Sequence, residues 1–346
     1  MYHVKLLGGK MRLPGNRIVK TTVAVFMTAL LCLWIGWPPV FAVITAVVTL
    51  EPTAADSIKK GIIRFPASAI GSFYAVLFIS LFGNSAITYT LAASLTILTC
   101  YQLRLHAGLL VATITAVAMV EVIHDNYFMS FFIRLGTTSI GIVVSTLVNM
   151  FILPPNYMKD INKNIKQIYQ NLMSILLKLI RLKLYVNDKK NFNSDIKLEE
   201  ARKSLRKTEE LIRFQGDEFN FLYSLGQEKQ ENFPKLQSQI YNLKLMHYHI
   251  SNISDVEIDK SSFLMEKVDL LTNVTIELEN SLNEESHQQL DDYEQKLKLL
   301  LDLYWQKSNP STEQSDTSLP HELIFLYEVI SVFYLAKQYQ MERLKD

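Results

Sequence analysis

The first half of the chain contains an internal repeat in which matching residues lie 70 positions apart. Ten of the 31 residues between positions 41 and 71 recur at this offset, among them Glu51 as Glu121 and Arg64 as Arg134. Each copy lies within a unit of three apolar segments. An odd number of membrane crossings would invert the second copy relative to the first. The sequence therefore predicts two inverted three-helix repeats, an arrangement typical of membrane transporters.

Six apolar segments account for most of this half and are predicted to be helices. Their approximate bounds are 18–36, 37–50, 62–83, 86–103, 107–120 and 131–153. A helix needs about 20 residues to cross ~30 Å of hydrocarbon, whereas the second and fifth segments have only 14 residues each. Short segments at matching places in two repeats indicate a central substrate site. Alternatively, interfacial residues extend them across the membrane.

Charge divides the chain into two predicted domains, a transmembrane domain over 1–155 and a helical domain over 156–346. The first holds 10 Lys or Arg and 4 Asp or Glu, and the second holds 25 and 30. Basic residues precede the first helix and lie between helices two and three and between four and five, whereas the alternate loops are almost uncharged. The positive-inside rule then places both termini in the cytoplasm.

Apolar residues of the second half recur at helical spacing. Seven of them, at alternating spacings of four and three, form a seam: Ile161, Ile165, Ile168, Leu172, Ile175, Leu179 and Leu182. Such a seam is typical of a coiled-coil stalk or of one helix in a bundle. Further helical patterns begin at Pro234, cover 261–283 and 284–307, and begin again at Pro320, and no β pattern competes. We predict an all-α fold, with four to six helices in an antiparallel cytoplasmic bundle.

Each copy of the repeat opens an apolar helix with an arginine that shares a helix face with a hydroxyl residue. Ser68 lies four residues after Arg64, and Thr138 lies four residues after Arg134. A guanidinium near lipid is costly unless it faces water, a partner or a substrate. Because it also forms strong charge-assisted hydrogen bonds to carboxylates, the first interpretation is an anion-attracting pair of arginines.

The second interpretation is structural, and the sequence leaves it open. Each arginine would pair with the glutamate of its own repeat, Glu51 or Glu121, near the membrane interface. Thr45 and Thr115, on the two short helices, are repeated as well. They either line a transport path or form hydrogen bonds to their own helix backbone.

Sequence patterns for enzyme chemistry are missing. The chain has no Walker A, GxGxxG, HExxH, CxxC or GxSxG motif, so we expect no catalysis, no cofactor and no metal site. The two cysteines, Cys32 and Cys100, lie in apolar segments and indicate no disulfide framework. We also expect no nucleic-acid partner.

Several short motifs resemble those of the aromatic acid exporter family, in the broader fusaric-acid-resistance-like superfamily. They are Pro39-Val-Phe-Ala, Thr45, Glu51-Pro52, and Arg64 with Gly71. The chain departs from the family pattern at Ala67 and Ser68, where Gly and Thr are usual. The resemblance covers residues 11 to about 156, and the remainder is similar to the family's cytoplasmic domain in architecture.

The resemblance implies a multi-pass protein of the bacterial inner membrane that exports small organic acids, often aromatic carboxylic acids. Larger relatives carry two such units in one chain, so a single unit implies a homodimer. In this interpretation Arg64 and Arg134 attract the anion. Repeated hydroxyl residues line its path: Thr45, Ser68, Thr115 and Thr138. The alternatives are an anion channel, or a membrane-anchored scaffold or sensor that transports nothing.

Overall fold

The computed structural model describes residues 16–122, 126–152, 156–184, 193–224, 233–258, 271–274, 276, 287–308 and 320–344. Within these residues the structure is helical and contains no strand. Most of the helix predicted over 261–283 and the basic residues before position 16 lie outside the described residues. The chain divides into two compact units. Unit 1 comprises Met1–Asn156 and Asp217–Gln227, and unit 2 comprises Tyr157–Gly216 and Glu228–Asp346.

Unit 1 contains six helices in its described residues up to position 152. They are α1 Asn16–Ile35, α2 Val40–Thr49, α3 Ala54–Phe82, α4 Ala86–Gln102, α5 Leu109–Val122 and α6 Tyr127–Phe151. Three of them are long and apolar enough to cross a membrane, namely α1 from Arg17 onward, α3 and α6. The apolar α2 and α5 have 10 and 14 residues, which correspond to roughly 15 and 21 Å.

Helix α3 begins at Ala54, eight residues before the apolar segment that predicted it. The Thr53 side chain accepts a hydrogen bond from the Asp56 backbone N–H at 3.0 Å, which caps the first turn. The first turns therefore include Lys59 and Lys60, and an apolar criterion excludes such charged residues. As a result, α3 is 29 residues long and extends past the apolar segment at its N-terminal end.

Two close helix crossings in unit 1 follow the 70-residue offset of the sequence repeat. Helix α3 packs against α5, and α2 packs against α6. A Cβ atom at Gly71 would lie 2.3 Å from the carbonyl oxygen of Ala112, and one at Gly141 would lie 2.5 Å from that of Ala42. Both crossings therefore need glycine, because no side chain fits between the two backbones.

Unit 2 contains α7 Met158–Leu184, most of α8 Ser194–Ser224, α9 Phe233–Asp255, α10 His287–Ser308 and α11 His321–Leu344. Six of the seven seam residues of α7 are buried, and so are residues on its other faces: Tyr169, Met173, Leu176 and Ile180. Their side chains belong to one hydrophobic core shared with the other helices. Helix α7 packs against α9, and α11 packs against both α9 and α10.

Candidate anion site

Four of the residues singled out in the repeat come together in a closed ring of hydrogen bonds. Arg134 donates from Nη2 to Thr115 Oγ1, and Ser68 Oγ lies 3.4 Å from Thr115 Oγ1 and 3.1 Å from Thr138 Oγ1. Thr138 itself donates to the Arg134 carbonyl at 2.9 Å. A hydroxyl has one hydrogen, so Ser68 must donate to Thr138 and Thr115 to Ser68. This hydroxyl ring links α3, α5 and α6.

The guanidinium of Arg134 is buried and only partly bonded. The residue is 3% exposed, and the carbon of its guanidinium lies 4.2 Å from the centre of the Phe41 ring. Among the described residues, its Nε and Nη1 have no hydrogen-bond partner, and no carboxylate lies within salt-bridge distance. A ring face stabilises a cation but does not neutralise it. Arg134 is therefore a buried positive charge with unused donors.

A small cavity of about 100 Å³ opens beside Arg134. Its wall is formed mainly by apolar residues of α2, α5 and α6, namely Pro38, Phe41, Met119, Val122, Ser130, Ile133, Arg134 and Thr137. Water occupies about 30 Å³ per molecule in the liquid, so this volume holds a carboxylate group but not a whole aromatic acid. The arrangement combines one cationic donor with an apolar wall.

Arg64, the counterpart of Arg134 in the first repeat, is neutralised. Its Nη2 lies 2.6 Å from Glu51 Oε1, and its Nε donates to the Ala107 carbonyl at 3.2 Å. Lys60 Nζ lies 2.9 Å from the other Glu51 oxygen, and Asp56 lies 3.8 Å from Lys60. Two cations and two carboxylates therefore balance around Arg64.

The protonation of Glu51 follows from these partners. Burial by itself would raise the pKa of Glu51, but hydrogen bonds from Lys60 and Arg64 outweigh burial and lower that pKa below its ordinary value. Glu51 therefore stays charged, and the ion pair keeps Arg64 occupied.

Glu121 does not form the pair with Arg134 that the repeat suggested. It is exposed in the last turn of α5 and accepts a hydrogen bond from the Tyr89 hydroxyl. The Arg134 side chain instead reaches Thr115, in the middle of α5. The arginine and glutamate therefore form an ion pair in the first repeat but not in the second. In the second repeat Glu121 is bonded to Tyr89 of α4 instead.

Thr45 is buried but lies outside the hydroxyl ring. Its hydroxyl donates to the Phe41 carbonyl at 2.9 Å in its own helix, and a Cβ at Gly141 would lie 2.9 Å from the Thr45 Cβ. The structure thus assigns Thr45 to the α2–α6 crossing and its counterpart Thr115 to the ring. Thr45 and Thr115 are thus the third pair of repeated residues whose members differ in environment, after Arg64 and Arg134 and after Glu51 and Glu121.

A second polar network, which sequence reasoning missed, lies where α3 begins, and we call it the α3-terminus network. Lys20 Nζ donates to Asn149 Oδ1 at 2.7 Å, and Asn149 Nδ2 donates to Ser57 Oγ at 2.9 Å. The Ala54 N–H donates to Glu218 Oε2 at 3.0 Å. Lys20 and Asn149 could have been noticed as polar residues inside apolar segments. Glu218 could not, because it lies 164 residues from Ala54.

Within the described residues, no group of three or more His, Cys, Asp or Glu side chains is placed to hold a metal ion. The buried polar groups that the structure does describe in unit 1 include Arg64, Arg134, several hydroxyl side chains and the α3-terminus network.

The long apolar helices and the buried polar groups between them define the class as a helical membrane protein. Residues 12–152 match the family described as aromatic acid exporter family member 1. A UPF0421 protein of Oceanobacillus iheyensis is 46% identical over 329 residues, which cover 94% of each chain. A UPF0421 protein of Bacillus thuringiensis is 38% identical over 339 residues, or 95% of this chain and 92% of the relative. The chain belongs to the aromatic acid exporter family, as its motifs predicted.

Proposed function

We propose that the protein exports small organic anions, in particular aromatic carboxylates, and that Arg134 binds the carboxylate. The observation that carries this proposal is the buried guanidinium with two unbonded nitrogens beside a cavity. Leaving an ion buried without a counter-charge costs several kcal/mol. An anionic substrate supplies that counter-charge and accepts hydrogen bonds from the unused N–H groups of Arg134.

The surroundings of Arg134 fit an aromatic acid better than a purely polar anion. Phe41 and Met119 line the cavity next to the guanidinium, so an apolar body has surfaces to contact while its carboxylate faces the charge. Because the cavity holds only the carboxylate end, transport requires the helices around it to separate. The hydroxyl ring is then available to the anion as further donors.

The proposed architecture has six membrane crossings arranged as two inverted repeats, with the helical bundle and both termini in the cytoplasm of a bacterial cell. Support comes from the glycine crossings, in which α3 of the first repeat contacts α5 of the second and α2 contacts α6. An impermeant thiol reagent should label Asn84→Cys but not Ser315→Cys in intact cells. Labelling of Ser315→Cys in those cells would contradict the topology. We propose a homodimer, which crosslinking in membranes would test.

Flux measurements test the function directly. Purified protein in liposomes should release preloaded benzoate, and Arg134→Gln should reduce the rate at least tenfold. Loss of a hydrogen bond to a charged group costs about 1.5–3 kcal/mol, or roughly 10- to 150-fold. Arg104→Gln, at an exposed arginine between α4 and α5, is the matched control and should transport normally. Folded wild-type protein that moves none of a panel of organic acids would instead indicate a scaffold or sensor.

A further inference from the structure

The C-terminal end of α8 belongs to unit 1 and brings a carboxylate to the first turn of α3. Glu218 is 4% exposed, and its Oε2 accepts a hydrogen bond from the Ala54 N–H at 3.0 Å; the neighbouring Ala55 N–H also acts on its carboxylate. The N–H groups in the first turn of a helix have no hydrogen-bond acceptor within that helix, so those of α3 need a partner from elsewhere. The partial positive charge of the helix N-terminus favours a carboxylate there. Glu218 therefore attaches the end of α8 to α3 through its charge.

The charged groups around Glu218 come from each neighbouring helix. Lys20 of α1, which is 7% exposed, is the cation that acts on it, and Lys20 is itself bonded to the neutral Asn149 of α6. Helix α3 carries Asp56 and Lys60 in its first turns, and these two pair with each other. On α8, the neighbouring residue Asp217 is half-buried.

The pKa of Glu218 shifts in the opposite direction from that of Glu51, the other carboxylate beside the start of α3. Burial raises the pKa of Glu218, although the amides of Ala54 and Ala55 and the charge of Lys20 oppose this effect. Glu51 has two direct cationic partners, which hold its pKa low. As the pH falls, Glu218 therefore takes up a proton before Glu51 does.

We propose that Glu218 is a proton-binding site and that its protonation releases the first turn of α3 from α8. A proton from water binds the carboxylate of Glu218, which becomes a neutral acid, and the charge-assisted hydrogen bond from the Ala54 N–H weakens. The consequence for transport rests on the proposed function. Helix α3 carries Ser68 of the hydroxyl ring and Gly71 of the α5 crossing, so its release loosens the anion site. Acid accumulating in the cytoplasm would thereby activate its own export.

Hydrogen–deuterium exchange tests the proton site without any transport assay. In full-length protein in detergent, the amides of residues 54–60 should be more protected in the wild type than in Glu218→Gln at neutral pH. This difference in protection should vanish on acidification. The pH at which half of it is lost should lie above about 4.3, the ordinary pKa of an exposed glutamate. The control variant is Glu209→Gln, because Glu209 also lies on α8 and forms an exposed ion pair with Lys244 of α9. It should match the wild type at every pH. If Glu218→Gln does not fold, the test uses the wild type alone. Protection of residues 54–60 should then fall with pH relative to that of a peptide from α11.

A difference that is absent at neutral pH, or that persists unchanged in acid, would overturn the proton site. Flux provides a separate reading. Benzoate release by the wild type should rise several-fold as the internal pH falls, whereas Glu218→Gln should be fast at neutral pH and insensitive to pH. The expected exchange result with no flux in any variant would support the proton site and count against export. Normal flux with the same pH response in Glu218→Gln would overturn the regulatory proposal while export stands.

Discussion

Arg64 and Arg134 occupy the same place in the two repeats but have opposite environments. Arg64 contacts the carboxylate of Glu51 and a backbone carbonyl, whereas Arg134 contacts one threonine hydroxyl and the face of Phe41. Both are buried, at 5% and 3% exposure. A sequence repeat therefore preserves the position of a charge without preserving its partner. Arg64 forms an ion pair with Glu51, whereas two guanidinium nitrogens of Arg134 have no hydrogen-bond partner among the described residues.

The same comparison applies to the pairs around the arginines. Glu51 forms ion pairs with Arg64 and Lys60, whereas Glu121 is exposed and accepts a hydrogen bond from Tyr89. In contrast, the glycine crossings are nearly the same in the two repeats, at 2.3 and 2.5 Å from the facing carbonyl. The backbone contacts are thus similar in the two repeats, although the side-chain partners differ.

The largest expected effect is on stability at the Arg64 pair. Glu51→Gln leaves the buried Arg64 without its counter-charge and should lower the free energy of unfolding by about 3–5 kcal/mol. Arg64→Gln should cost less, because Glu51 still pairs with Lys60. The combined Arg64→Gln, Glu51→Gln protein should recover much of that loss, because no single charge remains. Thermal unfolding in detergent measures each variant. Equal destabilisation in the double variant and in the sum of the single ones would contradict the pairing.

The pH dependence of this pair has a definite sign. The pKa of Glu51 is lowered in the folded protein, so its stabilisation is complete above the unfolded pKa of about 4.3 and is lost as the pH falls through the folded value. The stability difference between wild type and Glu51→Gln should therefore be constant near neutral pH and shrink only in strong acid. A difference that already declines between pH 7 and pH 5 would show that Glu51 is not held charged.

Substitution of the glycine at either helix crossing should reduce stability by a similar amount, whereas the two arginines should differ. Gly71→Ala and Gly141→Ala each force a methyl group against a backbone carbonyl and should cost roughly 1–3 kcal/mol by overpacking. Thermal unfolding of the two variants side by side provides the measurement. If one substitution is neutral and the other strongly destabilising, the crossings are not equivalent and the symmetric part of the comparison fails.

The smallest effect should separate the two repeated threonines. Thr115→Val removes an acceptor of Arg134 and a donor to Ser68, and it should cost about 1 kcal/mol. Thr45→Val removes only a hydroxyl bonded to its own helix, so its effect should be a few tenths of a kcal/mol. Unfolding measurements on matched preparations distinguish the two variants. Equal costs would place Thr45 and Thr115 in equivalent roles.

Sequence reasoning predicted the helical class and the family, because these depend on local spacing and on short motifs. The Arg64–Glu51 contact, between residues close in the chain, was one of two interpretations that the sequence left open. The ring of Ser68, Thr115, Thr138 and Arg134 was also within reach. Ser68 and Thr138 sit at matching places in the two copies of the repeat, and the copies pack against each other.

Other features depend on contacts that no local pattern encodes. Among the described residues no carboxylate pairs with Arg134. Predicting this would have required knowing the direction of each side chain, which the sequence does not encode. Apolar segments predicted α3 from position 62, because its capped, charged first turns carry no apolar signal. Glu218 lies in the charge-rich half, where one more glutamate is unremarkable, and only the fold brings it to Ala54.

The central claim is that Arg134, and not Arg64, binds the transported anion. Titration calorimetry with benzoate on three folded proteins tests it most directly: the wild type, Arg134→Gln, and the charge-balanced double variant Arg64→Gln, Glu51→Gln. We predict that the double variant binds benzoate as the wild type does and that Arg134→Gln binds it roughly 10- to 150-fold more weakly. Wild-type affinity in Arg134→Gln, together with lost affinity in the double variant, would contradict the claim.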